Sequence, residues 1–326
     1  MREILYRDAV LEALDEEMAR DENVLLLGED VAFIGGNFKT SVGLYEKYGD
    51  LRVKDTPISE AGFVGMGVGM ALTGLRPVVE LMFSDFLLVA ADQVVNQMAK
   101  IRYMSGGQVS VPMVIRAPIG GGRSSAAQHS QSMQAMVSQF PGMKVLVPST
   151  AQEVKGLLKS AIRDDNPVIF FEHKMEYTNK FEIDDDIELI PIGEANIKRA
   201  GTDISIAATS SQVLKSLKAA EALAGEGISC EVIDLRSIIP LDRETIIRSV
   251  QKTGRLLIVD EAYEFCGIGA EIAANLMEDV FYDLDAPIAR LATPNVPLPF
   301  SPALEFPIIP SSEKIADKVR ALVLKG

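Results

Sequence analysis

The sequence predicts an α/β protein of two α/β domains, and three observations predict it. Near-continuous apolar runs recur along the chain, as expected of parallel strands covered on both faces. Segments with helix-start signals separate those runs, which points to right-handed strand–helix–strand crossovers. The alternation stops once, at the acidic stretch FEIDDDIELIPIGEA (181–195), and then resumes. The expected domains are therefore residues 1–190 and residues 195–326.

In the first run, NVLLLG (23–28), PVVELM (77–82), PMVIRA (112–117), KVLVP (144–148) and PVIFFE (167–172) read as buried strands. Helices are predicted at 5–20, 61–74, 86–102 and 151–163, the last capped by Ser149 or Thr150 with Glu153 in its first turn. In the second run, 203–209, 228–235, 255–261 and 287–292 read as strands, with helices at 211–225, 242–252, 267–280 and 312–324. Before the final helix, TPNVPLPFSPALEFPIIP places six prolines in 18 residues, which calls for an extended segment that is ordered or bound to a partner.

A chain of 326 residues, 48% of them hydrophobic, can build two sizeable cores. Its formal net charge of −14 disfavours nucleic acid and anionic membranes and suits a cytoplasmic protein kept soluble by self-repulsion. Cys230 and Cys266 have no zinc spacing and read as two buried reduced thiols, with a disulfide as the alternative. The charged start MREILYRDAV lacks a signal-peptide core, and the glycine-rich segment 61–75 is shorter than a membrane span.

Ligands of such folds gather at the carboxyl ends of the strands, and four features fall at predicted strand ends or the helix starts beyond them. Glu60 directly precedes a helix start, where a carboxylate is also simply favoured by the helix dipole. Ala61, Gly65, Gly69 and Thr73 recur every four residues along that helix, a smooth face for a close neighbour. Phe83 and Phe86 follow the strand PVVE, as core or as a stacking surface for a planar ring. His129, in SSAAQHSQS beyond the glycines of 120–122, is one of only two histidines and has a pKa suited to proton transfer if it is not idle. His173, ending another strand, reads as structural. The fourth feature, AIRDDNP (161–167), closes a helix whose free carbonyls can hold water or a monovalent cation. No phosphate-binding GxxxxGK[ST] loop appears, nor a GDG followed by Asn at the distance that holds a magnesium diphosphate.

Taken together, GEDVA (28–32), DTPISEAGFVG (55–65), GLRPVVELMFSDF (74–86), AAQHSQ (126–131), EVIDLRSIIPLD (231–242) and KTGRLLIVDEA (252–262) resemble one family over nearly the whole chain. That family is the beta subunits of the thiamine-diphosphate-dependent first component of 2-oxo acid dehydrogenase complexes. ELMFSDF, PVIFFEHK and IPIGEANIKR look most like its acetoin-dehydrogenase branch. The resemblance implies an N-terminal pyrimidine-binding domain and a C-terminal transketolase-like domain. It further implies an alpha subunit that grips the diphosphate through Mg2+ in a heterotetramer of two alpha and two beta chains, and a lipoyl-bearing acyltransferase that accepts the acyl unit.

Residue by residue, the resemblance makes Glu60 the carboxyl that hydrogen-bonds a pyrimidine nitrogen, its pKa raised by burial. Phe86 stacks on that ring, Met82 and Ile58 wall it, and Glu29 approaches the cofactor. Phe83 and His129 face the substrate, with His129 handling a proton during acyl transfer to the lipoyl group. Ala161, Ile162, Asp164 and Asn166 match positions that enclose potassium in some relatives. The substrate is acetoin or, alternatively, pyruvate or a branched-chain 2-oxo acid. A non-catalytic scaffold that only docks the transferase is the other alternative.

Overall fold

The computed structural model describes residues 1–187 and 189–324, so the last two positions of the expected second domain lie outside the described residues. The chain divides into two compact units, one of Met1–Ile119 with Met136–Ile192, the other of Gly120–Ala135 with the chain from Gly193 onward.

Six strands of the first unit form a parallel sheet in the order Lys144–Leu146, Val168–His173, Val114–Ile119, Arg76–Glu80, Val24–Gly28, Val53–Asp55. Five match the predicted runs. The edge strand Val53–Asp55 is an addition to the predicted set: only Val53 of its three side chains is buried and no apolar run marks it. Arg2–Leu5 pairs antiparallel with Lys180–Ile183, again without a sequence signal beyond short alternation. Helices Tyr6–Arg20 and Ala151–Arg163 cover one face, with Val10, Leu14, Val154 and Leu158 buried at helical spacing in one core cluster. Thr150 caps the second of these. Its Oγ1 accepts from Glu153 N at 3.4 Å, and Glu153 Oε2 accepts from the Thr150 and Ser149 hydroxyls at 2.6 and 2.8 Å. Both sequence candidates thus bear on the helix start, an arrangement in the range of about 1 kcal/mol.

The helix predicted over 86–102 is broken into short turns over Ser84–Leu88, Gln93–Met98 and Ile101–Met104. The glycine face of helix Glu60–Leu72 meets this region at one point, where a Cβ on Gly65 would come 3.0 Å from Gln93 Oε1, while Gly69 has open space.

The second unit holds a five-stranded sheet in the order Ala289–Thr293, Leu256–Tyr263, Ile204–Ala208, Cys230–Asp234, Asn196–Arg199, parallel except for the last strand. Helices Ser211–Ala224 and Ser312–Val323 pack on one face around Val213, Leu223, Ile315 and Val319. Both cysteines are free thiols, but only Cys230 is buried. Cys266 is exposed, which corrects the reading of two buried thiols: it sits in the loop after Tyr263, past the point where the sheet covers the chain. Among the described residues no helix is long and apolar enough to cross a membrane.

Candidate active site

In the first unit's sheet, Val24–Gly28 lies between Val53–Asp55 and Arg76–Glu80. Glu29, segment 56–60 and segment 81–86 therefore leave neighbouring strands at the same carboxyl edge. Gly28 permits this crowding, since a Cβ there would sit 2.5 Å from the Glu80 carbonyl oxygen. Glu60 opens the helix Glu60–Leu72, where backbone N–H groups favour negative charge, and only 6% of it is exposed.

Glu29 is equally buried, and its Oε1 has no hydrogen-bond partner among the described residues. Burial pushes its carboxyl up to about 7, and the negative charges of Glu60 and Asp30 push in the same direction. Two buried carboxyls that feel one another, one with an unsatisfied oxygen, can hold a proton near neutrality and receive a ligand's N–H. The consequence for stability has a definite sign. A carboxyl at about 7 in the fold and at its ordinary 4.5 when unfolded binds more protons folded, so stability falls as pH rises through that window. Glu29→Gln is expected to match the parent near pH 4.5 and to exceed it at pH 8, by up to about 3 kcal/mol in urea denaturation.

Beside this pair lies a shelf of aromatic rings. Phe83 and Phe86 meet edge to face at 5.9 Å, Phe38 meets Phe83 at 5.9 Å, and Lys174 Nζ stands 5.6 Å from the Phe83 centroid. Phe83, Phe86 and Met82 are all half-buried. Ile58 is 83% exposed.

The same sheet carries a buried charged cluster that apolar patterning does not mark. Arg116, 1% exposed, donates from Nη1 to Glu80 Oε2 at 2.6 Å and grips Glu172 through Nε and Nη2 at 2.6 and 2.7 Å. Tyr177 donates to Glu172 at 2.7 Å and Thr40 to Glu80 at 3.0 Å. The signal was available: one lone charge interrupts each of the apolar strands PVVELM, PMVIRA and PVIFFE.

His129 belongs to the second unit. It is half-buried, and its backbone N–H reaches the Ala126 carbonyl at 3.5 Å. Within the same unit Asp260 is buried and pushed up by that burial, and it accepts from Thr209 Oγ1 at 2.7 Å and Gln134 Nε2 at 2.9 Å. His173 is buried in the first unit, its Nδ1 accepting from Met175 N at 3.3 Å.

The predicted cation positions gather at the end of helix Ala151–Arg163. Arg76 Nη1 donates to the carbonyls of Ile162 and Asp164, both at 3.1 Å, and Asn166 N donates to Asp164 Oδ1 at 2.8 Å. The Ala161 carbonyl accepts from Asp164 N at 3.3 Å. A guanidinium thus already serves two of the four carbonyl positions.

A parallel-sheet unit with a carboxylate pair and an aromatic shelf at its carboxyl edge, followed by a second α/β unit, defines a transketolase-like protein. Residues 2–180 match the transketolase pyrimidine-binding domain, and residues 193–315 match the transketolase C-terminal domain. A solved split-gene transketolase, described as an inactive beta4 tetramer, superposes with a TM-score of 0.80 at 25% identity over 98% of both chains. The pyruvate dehydrogenase E1 component subunit beta of Rickettsia felis is 48% identical over 98% of each chain. In Bacillus subtilis, the 2-oxoisovalerate dehydrogenase subunit beta is 46% identical over 97% of this chain and 98% of its own. The beta subunit of the acetoin:2,6-dichlorophenolindophenol oxidoreductase of Bacillus subtilis is 47% identical over 96% and 95%. The chain belongs to this family of dehydrogenase E1-component beta subunits. Identities this even across three substrate classes do not single out the acetoin branch.

Proposed function

We propose that this chain supplies the pyrimidine-side wall of a thiamine diphosphate site completed by an alpha subunit, in a heterotetramer of two alpha and two beta chains. The substrate is acetoin, pyruvate or a branched-chain 2-oxo acid, and the acyl unit passes to a lipoyl group of a transferase component. The observation that carries this reading is the buried Glu29–Glu60 pair, with an orphaned carboxyl oxygen, at the carboxyl edge of a pyrimidine-binding domain. An aminopyrimidine offers the ring nitrogens and exocyclic N–H groups that such a pair needs, so the residues fit the group.

Thiamine diphosphate supplies a carbon nucleophile that also stores an electron pair. Glu60 holds a proton at a pyrimidine ring nitrogen, and Glu29 stabilises the same edge. Phe86 stacks on the ring with Met82 beside it, and exposed Ile58 closes the pocket once the alpha subunit covers it. Phe83 borders the substrate, and His129 moves a proton during transfer to the lipoyl group. Mg2+ and the diphosphate fall to the alpha subunit, since this sequence lacks GDG followed by Asn. Potassium at Ala161, Ile162, Asp164 and Asn166 is supported by the carbonyl-rich helix end, with Arg76 as the competing cation. The location we read is cytoplasmic, supported by the acidic, self-repelling composition.

Assembly with an alpha-type partner, thiamine diphosphate and Mg2+ is expected to reduce an artificial acceptor with at least one of the three substrates. Absence of turnover with all three would leave the chain a scaffold.

A further inference from the structure

We propose that Glu305 is a positioning residue whose carboxylate moors the loop carrying His129. This rests on the reading of His129 given above and adds a residue to it. Glu305 sits in the proline-rich segment 293–310, at the end of the helical turn Pro302–Glu305, and is 0% exposed. A carboxylate withdrawn so far from water needs compensating donors. Its donors are two backbone N–H groups of the His129 loop: Gly122 N lies 2.7 Å from Oε1 and Ser124 N 2.9 Å from Oε2.

The loop between Gly120 and His129 is wound tightly. Gly120 and Gly122 have φ of 94° and 93°, while Ser124 and Ala126, which are not glycine, sit at 53° and 59°. Left-handed conformations are strained for non-glycine residues and persist only where surroundings hold them. The N–H groups of the alternate residues Gly122 and Ser124 turn toward one carboxylate, as backbone N–H groups do around a bound anion, and here the anion is the chain's own. Past Ser124 the backbone turns at Ala126, whose carbonyl accepts from His129 N at 3.5 Å. A slip at Ser124 therefore moves the imidazole.

Two further contacts fix the loop within the same unit. Gly121 N donates to Glu261 Oε1 at 2.7 Å, and a Cβ on Gly121 would meet Ile309 Cδ1 at 2.7 Å and Glu305 Oε1 at 3.2 Å. The proline-rich segment is thus the seat of the loop, and its stiffness gives Glu305 a fixed place to grip from.

Glu305→Gln keeps the volume and removes one acceptor, setting an amide N–H against a backbone N–H. Losing a charged hydrogen bond of this kind opens the loop on the order of ten-fold or more often. In the full chain, tryptic cleavage after Arg123 is expected to accelerate by that factor while other sites keep the parental rate. In the assembled enzyme, lipoyl acylation is expected to fall on the order of 10²-fold, and Glu305→Asp to recover part of both losses. Should Glu305→Gln not fold, Glu305→Asp carries the same two readouts with smaller changes. Either readout at the parental value overturns the proposal. His129→Ala is assayed alongside: unchanged lipoyl acylation there overturns the role of His129 itself, whatever Glu305 does.

Discussion

Glu60→Gln is expected to lower turnover of the assembled enzyme by about 10²- to 10⁴-fold, the span that a placed proton-transfer group contributes, with folding unchanged. Glutamine keeps the shape and can still hydrogen-bond, but its amide cannot hold and return a proton. The site magnifies the difference: Glu60 is 6% exposed, lies on a helix N-terminus and shares its surroundings with Glu29. Removing the Glu60 charge also relieves Glu29 of a repulsion that helps lift it to about 7, so any residual activity should fall off at a lower pH. Steady-state rates against pH, with melting temperature as the control for folding, check this. A rate within a few-fold of the parent would remove Glu60 from the proton path.

The largest stability loss is expected at Arg116. Arg116→Met leaves Glu80 and Glu172 buried with no cation between them, a loss of about 3–5 kcal/mol for breaking such a cluster from one side. Arg116 is held charged by both carboxylates, whereas burial pushes Glu80 upward toward its neutral form. The loss should therefore grow with pH as Glu80 ionises. A double variant, Arg116→Met with Glu172→Gln, should recover part of it, because only one buried charge is then unmatched. Denaturant midpoints of the three chains provide the check. A cost below about 1 kcal/mol for Arg116→Met would mean that water reaches the cluster and screens it.

The cluster also shows where sequence reading stops. The strands were legible because their apolar runs are nearly unbroken, and the charges within them look like interruptions until the sheet order is known. Only the order Val168–His173, Val114–Ile119, Arg76–Glu80 puts Glu172 and Glu80 on the two strands flanking Arg116, within reach of its guanidinium. Val53–Asp55 and Asn196–Arg199 are edge strands with a half-polar pattern, and such edges carry little signal. The helix read over 86–102 fails for another reason: apolar spacing fixes a face, while the broken turns from Ser84 to Met104 depend on what packs there.

At the site, Glu60, the aromatic pair and His129 stood out by position at strand ends, but their roles came from resemblance. Glu305 could not have been found this way, since its partner Gly122 is 183 positions distant and nothing in PALE marks a buried anion. Ile58 carries the opposite lesson. In the function we propose, that exposed side chain is covered by the alpha subunit.

The most direct measurement is a calorimetric titration of thiamine diphosphate and Mg2+ into this chain alone and into its complex with an alpha-type partner. Heat from tight binding, at about micromolar or below, is expected for the complex and not for the single chain. Tight, magnesium-dependent binding by the chain alone would contradict the shared site.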